Sequence, residues 1–294
     1  MAYEKRDDLY AATLLLESLR ALLSLCASQQ KVECPWRIMA MDVKRAYFYA
    51  PATRPLFVHI PKEDREDGDE KMVARLNLSL YGTRDAAQNW TKVYTDFALE
   101  IGFERGESCP CNFRHPKGLA MTVHGDDFTL TGGTKELLWC KKLFEAKFEI
   151  TAKILGPEQG QEREIRVLNM IIRWEAAGVV YEPDQRHVEM IIRELGLESA
   201  GSVLTPGTRV EHDAASAPYG IPGIELEDDS EPMPSEQATK FRGLVARCNY
   251  LAQDRVDLQY ASKEASRRMA RPCNGDWKML KRIGRYLVGA PRFE

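Results

Sequence analysis

No stretch of this 294-residue sequence approaches the eighteen or so consecutive apolar residues of a membrane span, so no membrane partner is expected. The first ten residues, Met1 to Tyr10, lack the apolar centre of a secretory leader. That absence implies an intracellular chain whose seven cysteines are thiols. Zinc spacing is missing as well. Cys109, Cys111 and His115 cluster, but no second ligand pair stands at finger or ribbon distance, and buried or surface thiols are the expectation. No internal repeat is visible, and neither sign of charge dominates, the net value being −3. What is present is an ordinary globular composition, 44% hydrophobic and 29% charged, in a chain long enough for one large domain or two smaller ones.

The charge is unevenly spread. From Lys240 onward 13 Lys or Arg stand against 5 Asp or Glu, a balance of +8, so the preceding residues carry −11. A basic arm on an acidic body is the natural reading, although a basic helical tail is as often a solvated face as a phosphate-binding one.

Periodicity places the elements. Residues 9 to 29 predict a helix burying Leu15, Leu19, Leu22 and Cys26. Arg37 to Ala50 reads as a buried strand ending in a tight bend. Leu56, Val58 and Ile60, punctuated by prolines, predict a hairpin arm with the acidic run Glu63 to Glu70 at its exposed tip. A helix from about Thr83 stops before Gly102. Leu119 to Val123 and Phe128 to Leu130 predict a hairpin joined by His-Gly-Asp-Asp. A helix over 135 to 148, a hairpin over 165 to 181 turning at Ala176 to Gly178, and a helix capped by Asp184 and burying Val188, Ile191, Ile192 and Leu195 follow. Gly207 to Ser235 lacks periodicity and reads as a long mobile connector. Three helices near 236 to 253, 257 to 270 and 275 to 288 carry the positive charge.

Two features carry chemistry. Asp42 is a charge inside the apolar run from Ile38 to Val43, where a carboxylate is costly unless it is paired or binds a cation. Asp126 and Asp127 are adjacent like charges, each raising the other's pKa unless a metal ion lies between them and another carboxylate. If their strands are neighbours, Asp42 and Asp126 can converge on two divalent ions. Magnesium suits such oxygen donors, and a two-ion site of this kind performs nucleotidyl transfer. The plainer alternative is a surface Asp-Asp turn and a strand-end aspartate, and these residues alone leave both open.

Asp-Val-Lys-Arg-Ala-Tyr at 42 to 47 resembles the first catalytic motif of reverse transcriptases, and Ser-Leu-Tyr-Gly at 79 to 82, with Ala86 and Trp90, resembles the copia-type signature around the nucleotide-binding helix. Asp126-Asp127 falls where that family has a Tyr-Val-Asp-Asp box. Thr205-Pro206, Phe241 to Val245, Tyr250 to Ala252, Trp277 and Arg282 to Leu287 keep the family's order. The sequence therefore resembles the polymerase core of a copia-type retrotransposon reverse transcriptase.

The resemblance implies an α+β right-hand polymerase fold, with fingers and palm carrying an antiparallel sheet ahead of a helical thumb or connection region. Residues 1–155 would hold partial fingers and palm, and 156–206 the rest of the palm and the start of the thumb. A flexible linker, 207–235, would lead to a basic helical region, 236–294, ending before a ribonuclease H. Asp42, Asp126 and Asp127 would be catalytic and hold two Mg2+ ions, with Mn2+ as a substitute. Val43, Lys44, Arg45, Ala46, Tyr47, Gly82 and Gln88 would contact the deoxynucleoside triphosphate. Tyr47 would be the ring that excludes a 2′-hydroxyl, against the alternative of a core tyrosine, and Gly82 would allow close backbone approach. Arg242, Arg247, Lys263, Arg267, Arg268, Lys278, Lys281 and Arg282 would contact a primer-template RNA/DNA duplex, and the rest of a polyprotein, integrase upstream and ribonuclease H downstream, would be partner segments.

The sequence departs from the family pattern in places. His124-Gly125 precedes the paired aspartates where an aromatic-apolar pair is usual, Asp85 and Ala87 replace a common Gln and Pro, and Val256 takes a frequent proline position. No basic fingers strand stands upstream of residue 10. Two rivals follow: an inactive remnant that at most binds nucleic acid, and an RNA-dependent RNA polymerase, which shares the Gly-Asp-Asp box. The second would place a polar residue where Tyr47 stands.

Overall fold

In the computed structural model the described residues are 13–31, 33–207 and 231–292. Residues 9–12 of the first expected helix and 208–230 of the expected connector lie outside them. The elements in chain order are α1 (Leu16–Ser28), β1 (Trp36–Val43), β2 (Phe57–His59), β3 (Val73–Arg75), α2 (Ala86–Glu100), β4 (Glu104–Arg105), β5 (Asn112–His115), β6 (Leu119–His124), β7 (Asp127–Gly133), α3 (Thr134–Lys147), β8 (Ile150–Leu155), β9 (Glu164–Val167), β10 (Met170–Glu175), β11 (Gly178–Pro183), α4 (Arg186–Glu194), α5 (Ser235–Leu251), α6 (Val256–Ser266) and α7 (Asn274–Gly289). They divide into two compact units, Met1–Val167 with Ile172–Val180, and Leu168–Ile171 with Tyr181–Glu294. Helices and antiparallel sheet make the chain α+β.

The first unit is built on a six-stranded sheet in the order β4-β5-β6-β7-β1-β8. β1 lies between β7 and the edge strand β8 and is antiparallel to both, pairing Ile38 with Thr131 and with Leu155. The pleat sends Met39, Met41 and Val43 to one face, where α2 and α3 cover them in a core with Trp90, Phe97, Phe128, Phe144 and Phe148. Its aromatic rings meet edge to face, Trp90 with Phe128 at 6.4 Å and Phe128 with Phe144 at 5.3 Å. Such contacts contribute about 0.5–1.5 kcal/mol each beyond burial.

α2 forms because Ala86, Trp90, Tyr94, Phe97 and Ala98 recur at three- and four-residue steps and are all buried. It ends as its sequence predicts. The Gly102 N–H donates to the Leu99 carbonyl and the Phe103 N–H to the Ala98 carbonyl, closing the helix over a buried Phe103. The expected arm is present as the β2–β3 pair, with Val58 opposite Ala74 and an exposed connection. β9, β10 and β11 form a three-stranded sheet in the order β11-β10-β9.

Two expectations need correction. Leu15 is not a core residue of α1: it precedes the first turn in an extended conformation and is exposed, while Leu23 joins Leu19, Leu22 and Cys26 on the buried face. The β6–β7 connection is shorter than four residues, because His124 pairs with Asp127 and leaves only Gly125 and Asp126 in the loop.

In the second unit, α4, α5, α6 and α7 bury a separate core including Val188, Ile191, Phe241, Leu244, Leu258, Leu280, Ile283 and Leu287. The expected cap is displaced by one residue: Gln185 is the N-cap of α4 and makes no side-chain cap bond, while Asp184, just before it, accepts the Arg186 N–H on Oδ1 at 3.0 Å. Ile192 is only half-buried.

Candidate active site

The three aspartates meet at one end of the central strands. Asp42 lies directly opposite Asp127 in the β1–β7 register and opposite Thr151 in the β1–β8 register. One step along, Ala40 faces Thr129 on one side and Lys153 on the other. Residues opposite one another across antiparallel strands share a face, so Asp127, Asp42 and Thr151 form one row and Thr129, Ala40 and Lys153 the next. These rows, with β9's Ile165, Arg166 and Val167, line a cavity of about 220 Å3. Its surface is the sheet face opposite the aromatic core.

The two-residue loop sets Asp126 beside that row. Gly125 has φ +64, the positive value a two-residue hairpin turn demands at its first position. Two bonds fix the loop: the Asp126 carbonyl accepts the Val43 N–H at 3.1 Å, and the Gly125 carbonyl accepts Trp90 Nε1–H at 2.8 Å. The sequence expectation that Asp42 is a costly buried charge is corrected by the pleat. Met41 and Val43 turn inward while Asp42 is exposed.

The carboxylates nevertheless feel one another. Desolvation, and then the Asp126 charge, raise the Asp42 pKa above the ordinary carboxylate value, with Lys44 pulling it back. Desolvation, followed by Asp126 and Asp42, raises Asp127, which the neighbouring His124 opposes. Three anionic groups this close repel and favour a cation. Among the described residues, no group of three or more His, Cys, Asp or Glu side chains is arranged to hold a metal ion.

The other nucleotide-contact candidates divide. Val43 and Ala46 are fully buried in the first core, so their side chains cannot reach a ligand and only backbone is available. Lys44 Nζ and Arg45 Nη2 both donate to Glu149, at 2.9 and 2.7 Å. Those bonds hold the Glu149 carboxyl below its usual value. Arg45 adopts the left-handed conformation, φ 55°, turning the chain into the short 3-10 segment that carries Tyr47.

Tyr47 is half-buried, its ring 4.4 Å from that of Tyr81. Burial, then Asp126 and Tyr81, push its phenol pKa up. It borders a cavity of about 140 Å3 with Trp90, Tyr94, His124 and Gly125. Gly82 follows Tyr81 at φ +90 with open space around it. Gln88 borders a groove with Thr95 and Arg105, around α2 from the one that Ala87 and Trp90 line.

Sequence reasoning missed three contributors. Thr151 and Lys153 were legible only as the outward positions of β8, whose burial alternates. Asp85, noted only as a departure from pattern, is buried and accepts Arg54 Nε and Nη2 at 3.1 and 3.2 Å. Burial raises its pKa, but the Arg54 bonds outweigh that and leave it below the ordinary value. The pair ties the segment after β1 to the start of α2.

The eight basic candidates in the second unit also separate. Arg242 Nε donates to the Met269 carbonyl at 2.7 Å, Arg267 pairs with Glu264, and Arg268 lies 3.6 Å from Asp276. Arg247 is half-buried and Lys263 exposed. Lys278, Lys281 and Arg282 line one cleft on α7 together with Arg285, which the sequence reading did not single out.

An antiparallel sheet that presents paired carboxylates at a hairpin turn, opposite a third on the adjacent strand, is the arrangement of a nucleotidyltransferase class. The family model for reverse transcriptase (RNA-dependent DNA polymerase) matches residues 1–206. The chain belongs to that family. It is 24% identical over 288 residues to the retrovirus-related Pol polyprotein from transposon TNT 1-94 of Nicotiana tabacum, covering 96% of this chain and 20% of that protein. The corresponding polyprotein from transposon RE2 of Arabidopsis thaliana is 27% identical over 264 residues, 88% of this chain and 17% of the relative. The transposon Ty1-JR2 Gag-Pol polyprotein of Saccharomyces cerevisiae is 25% identical over 236 residues, 76% of this chain and 12% of the relative. These relatives are copia-type retrotransposon polyproteins, and the chain spans a fifth or less of their length. Among the described residues, no helix is long and apolar enough to cross a membrane.

Proposed function

We propose that this chain is the RNA-directed DNA polymerase segment of a retrotransposon polyprotein, extending a primer 3′-hydroxyl with deoxynucleoside triphosphates on a nucleic-acid template. The observation that supports this reading best is the row in which Asp42 faces Asp127, with Asp126 in the adjoining turn. The donor set is all carboxylate oxygen, which fits magnesium, or manganese in its place. When bound, such ions would lower the pKa of the attacking hydroxyl and stabilise the pyrophosphate that leaves.

The chain's own residues do the rest. Asp42 and Asp126 would hold the cations, and Asp127 sustains the negative field across the strand. Lys153 supplies a positive charge on the same face. Tyr47, propped by Tyr81, forms the floor beneath the incoming sugar and leaves no room for a 2′-hydroxyl. A template-copying RNA polymerase would need room for that hydroxyl there, which the bulk of the Tyr47 ring opposes. In this reading the first unit is palm with partial fingers and the second is thumb or connection, joined in the polyprotein to an integrase upstream and a ribonuclease H downstream.

The test is single-nucleotide extension of a labelled primer on RNA and DNA templates with Mg2+. Asp126→Asn should reduce extension by about 100-fold or more, the scale on which loss of one charge-stabilising group acts. A wild-type chain that binds primer-template but never extends it, with either ion, would leave the inactive-remnant reading in its place.

A further inference from the structure

One group that the sequence sets apart has no part in the polymerase reading: Cys109, Cys111 and His115. The fold divides it. Both nitrogens of His115 are engaged, Nε2 with the Ile101 carbonyl at 3.1 Å and Nδ1 with the Lys117 N–H at 3.0 Å, so the ring offers no lone pair to a metal ion. That ring meets those of Phe103 and Trp139 edge to face. What remains is a pair of thiols in the first unit, Cys109 half-buried and Cys111 buried. No other two of the seven cysteines stand so close in the chain.

A turn brings the two thiols together. The Asn112 N–H donates to the Cys109 carbonyl at 3.0 Å, closing a β-turn with Pro110 at its second position, where the fixed φ of proline suits. Cα atoms on either side of a single residue are at most about 7 Å apart even in extended chain, and a turn shortens that to within the ~4.4–6.8 Å that a disulfide spans. The two thiols are hydrogen-bonding neighbours. Further bonds hold the turn. Arg105 Nε donates to the Pro110 carbonyl at 2.8 Å, the Gly106 N–H to the Asn112 carbonyl at 2.8 Å, and the Val123 N–H to the Cys111 carbonyl at 2.9 Å. From α1, Ser18 Oγ lies 3.7 Å from Cys109 Sγ and accepts a bond from Asn112 Nδ2 at 3.0 Å. Burial, then the Cys109 thiol, push the Cys111 pKa up, and Arg105 opposes them. Pro110 and Arg105 also border an open groove of about 380 Å3, so small solutes reach this edge of the sheet.

We propose that Cys109 and Cys111 form a reversible thiol–disulfide pair, a modification site for hydroperoxides. Cys109 is the accessible member and reacts first. Its sulfur gives up its proton to water and attacks a peroxide oxygen; the O–O bond breaks, and the departing oxygen takes up a proton and leaves as water or alcohol. The sulfenic acid so formed stands one residue from the Cys111 sulfur, which attacks it. The S–O bond breaks, and the hydroxyl leaves as water with the Cys111 proton. Two thiols lose two electrons between them, and one peroxide gains both. Inside cells such a bond is transient and sensing rather than structural. The inference goes beyond the proposed function and uses neither the aspartates nor Tyr47.

The test uses the full chain, reduced and then exposed to stepwise additions of hydrogen peroxide, with remaining thiols capped by N-ethylmaleimide after unfolding. Trypsin cuts after Arg105 and Arg114, isolating residues 106–114 with these two cysteines and no other. The expected product is that peptide lighter by two hydrogens and free of maleimide, with both thiols lost in parallel and both recovered in dithiothreitol. Cys26, Cys140 and Cys248 are buried elsewhere, and burial pushes the last two up to about 12, so all three should keep their thiols and report an intact fold. Cys109→Ser, at the less buried position, should leave Cys111 open to maleimide at every peroxide level that closes the wild-type pair. Cys34→Ser, which removes an exposed thiol, should leave closure unchanged. In Cys111→Ser, Cys109 should stop at the sulfenic acid, which dimedone traps. Oxidation of Cys109 while Cys111 still takes maleimide, a bond from Cys109 to Cys34 or to a second chain, or two intact thiols where Cys34 is already consumed overturns the proposal. The readout is the mass of one peptide and does not depend on polymerase activity.

Discussion

Asp127 shows how a site is paid for in stability. It stands directly opposite Asp42, and desolvation together with the charges of Asp126 and Asp42 raises its pKa. A carboxyl whose folded pKa exceeds the unfolded value of 3.8 favours the fold only when protonated. That contribution is present below 3.8 and lost as pH rises through the folded value. At neutral pH the pair is therefore a net cost. Asp127→Asn should stabilise the protein by about 0.2–1 kcal/mol, the range for a cross-strand pair. The gain, read by thermal melting without divalent ions, should be full at neutral pH and shrink in acid. A destabilised variant would show that Asp127 makes a favourable contact instead. Tyr47 is the second residue-scale case. Replacing its ring by valine should raise ribonucleotide relative to deoxyribonucleotide incorporation by about 10–100-fold, the worth of one pocket contact. An unchanged ratio would remove Tyr47 from that role.

At the scale of elements, the β6–β7 turn depends on a helix. The Trp90 indole spans from the aromatic core to the Gly125 carbonyl, so α2 positions the loop that carries Asp126. Trp90→Phe keeps an aromatic ring and removes the bond. Stability should fall by about 0.5–1.5 kcal/mol, on top of the lost ring volume, and extension should fall further than binding. Parallel losses of extension and binding would indicate general loosening. The Arg54–Asp85 pair fastens the start of α2. Here a departure from the family's motif turned out to have a structural use, since a buried aspartate with two guanidinium bonds meets the requirement that a buried charge be paired.

Across the whole molecule, two apolar cores lie in separate units and share no residue. Phe144→Ala and Phe241→Ala should each cost about 3–5 kcal/mol. Trp277 is the one tryptophan of the second unit and the other four lie in the first, so fluorescence of single-tryptophan versions assigns each loss to its unit. Additive losses in the double variant are expected for cores that share no residue. A coupling above about 0.5 kcal/mol would contradict them. The charge split does not follow that division: residues 181–239 carry 3 Lys or Arg against 13 Asp or Glu, so the second unit nets −2 and the first −1. The basic α5–α7 region also supplies much of the second core, so deleting it to test nucleic-acid binding would remove Phe241 and leave Val188 and Ile191 of α4 uncovered, and point substitutions on α7 are the cleaner probe.

The sequence by itself determined the local elements. Trp90, Tyr94 and Phe97 on one stripe define α2, Gly102 ends it, and the motif order from Asp42 through Asp126 identifies the family, because helical spacing, turn chemistry and motifs are properties of neighbouring residues. It did not determine which strands lie side by side. That Asp42 faces Asp127 and Thr151, that Lys153 shares their face, and that Val43 and Ala46 point into the core follow from register and pleat. Register is fixed by burying Met39, Met41 and Val43 beneath helices that come later in the chain. Likewise, eight cations looked equivalent along the sequence. Only the packing of α7 separated those held by Glu264, Asp276 or the Met269 carbonyl from those that line one cleft, since a charge's partner is chosen by proximity in space rather than in sequence.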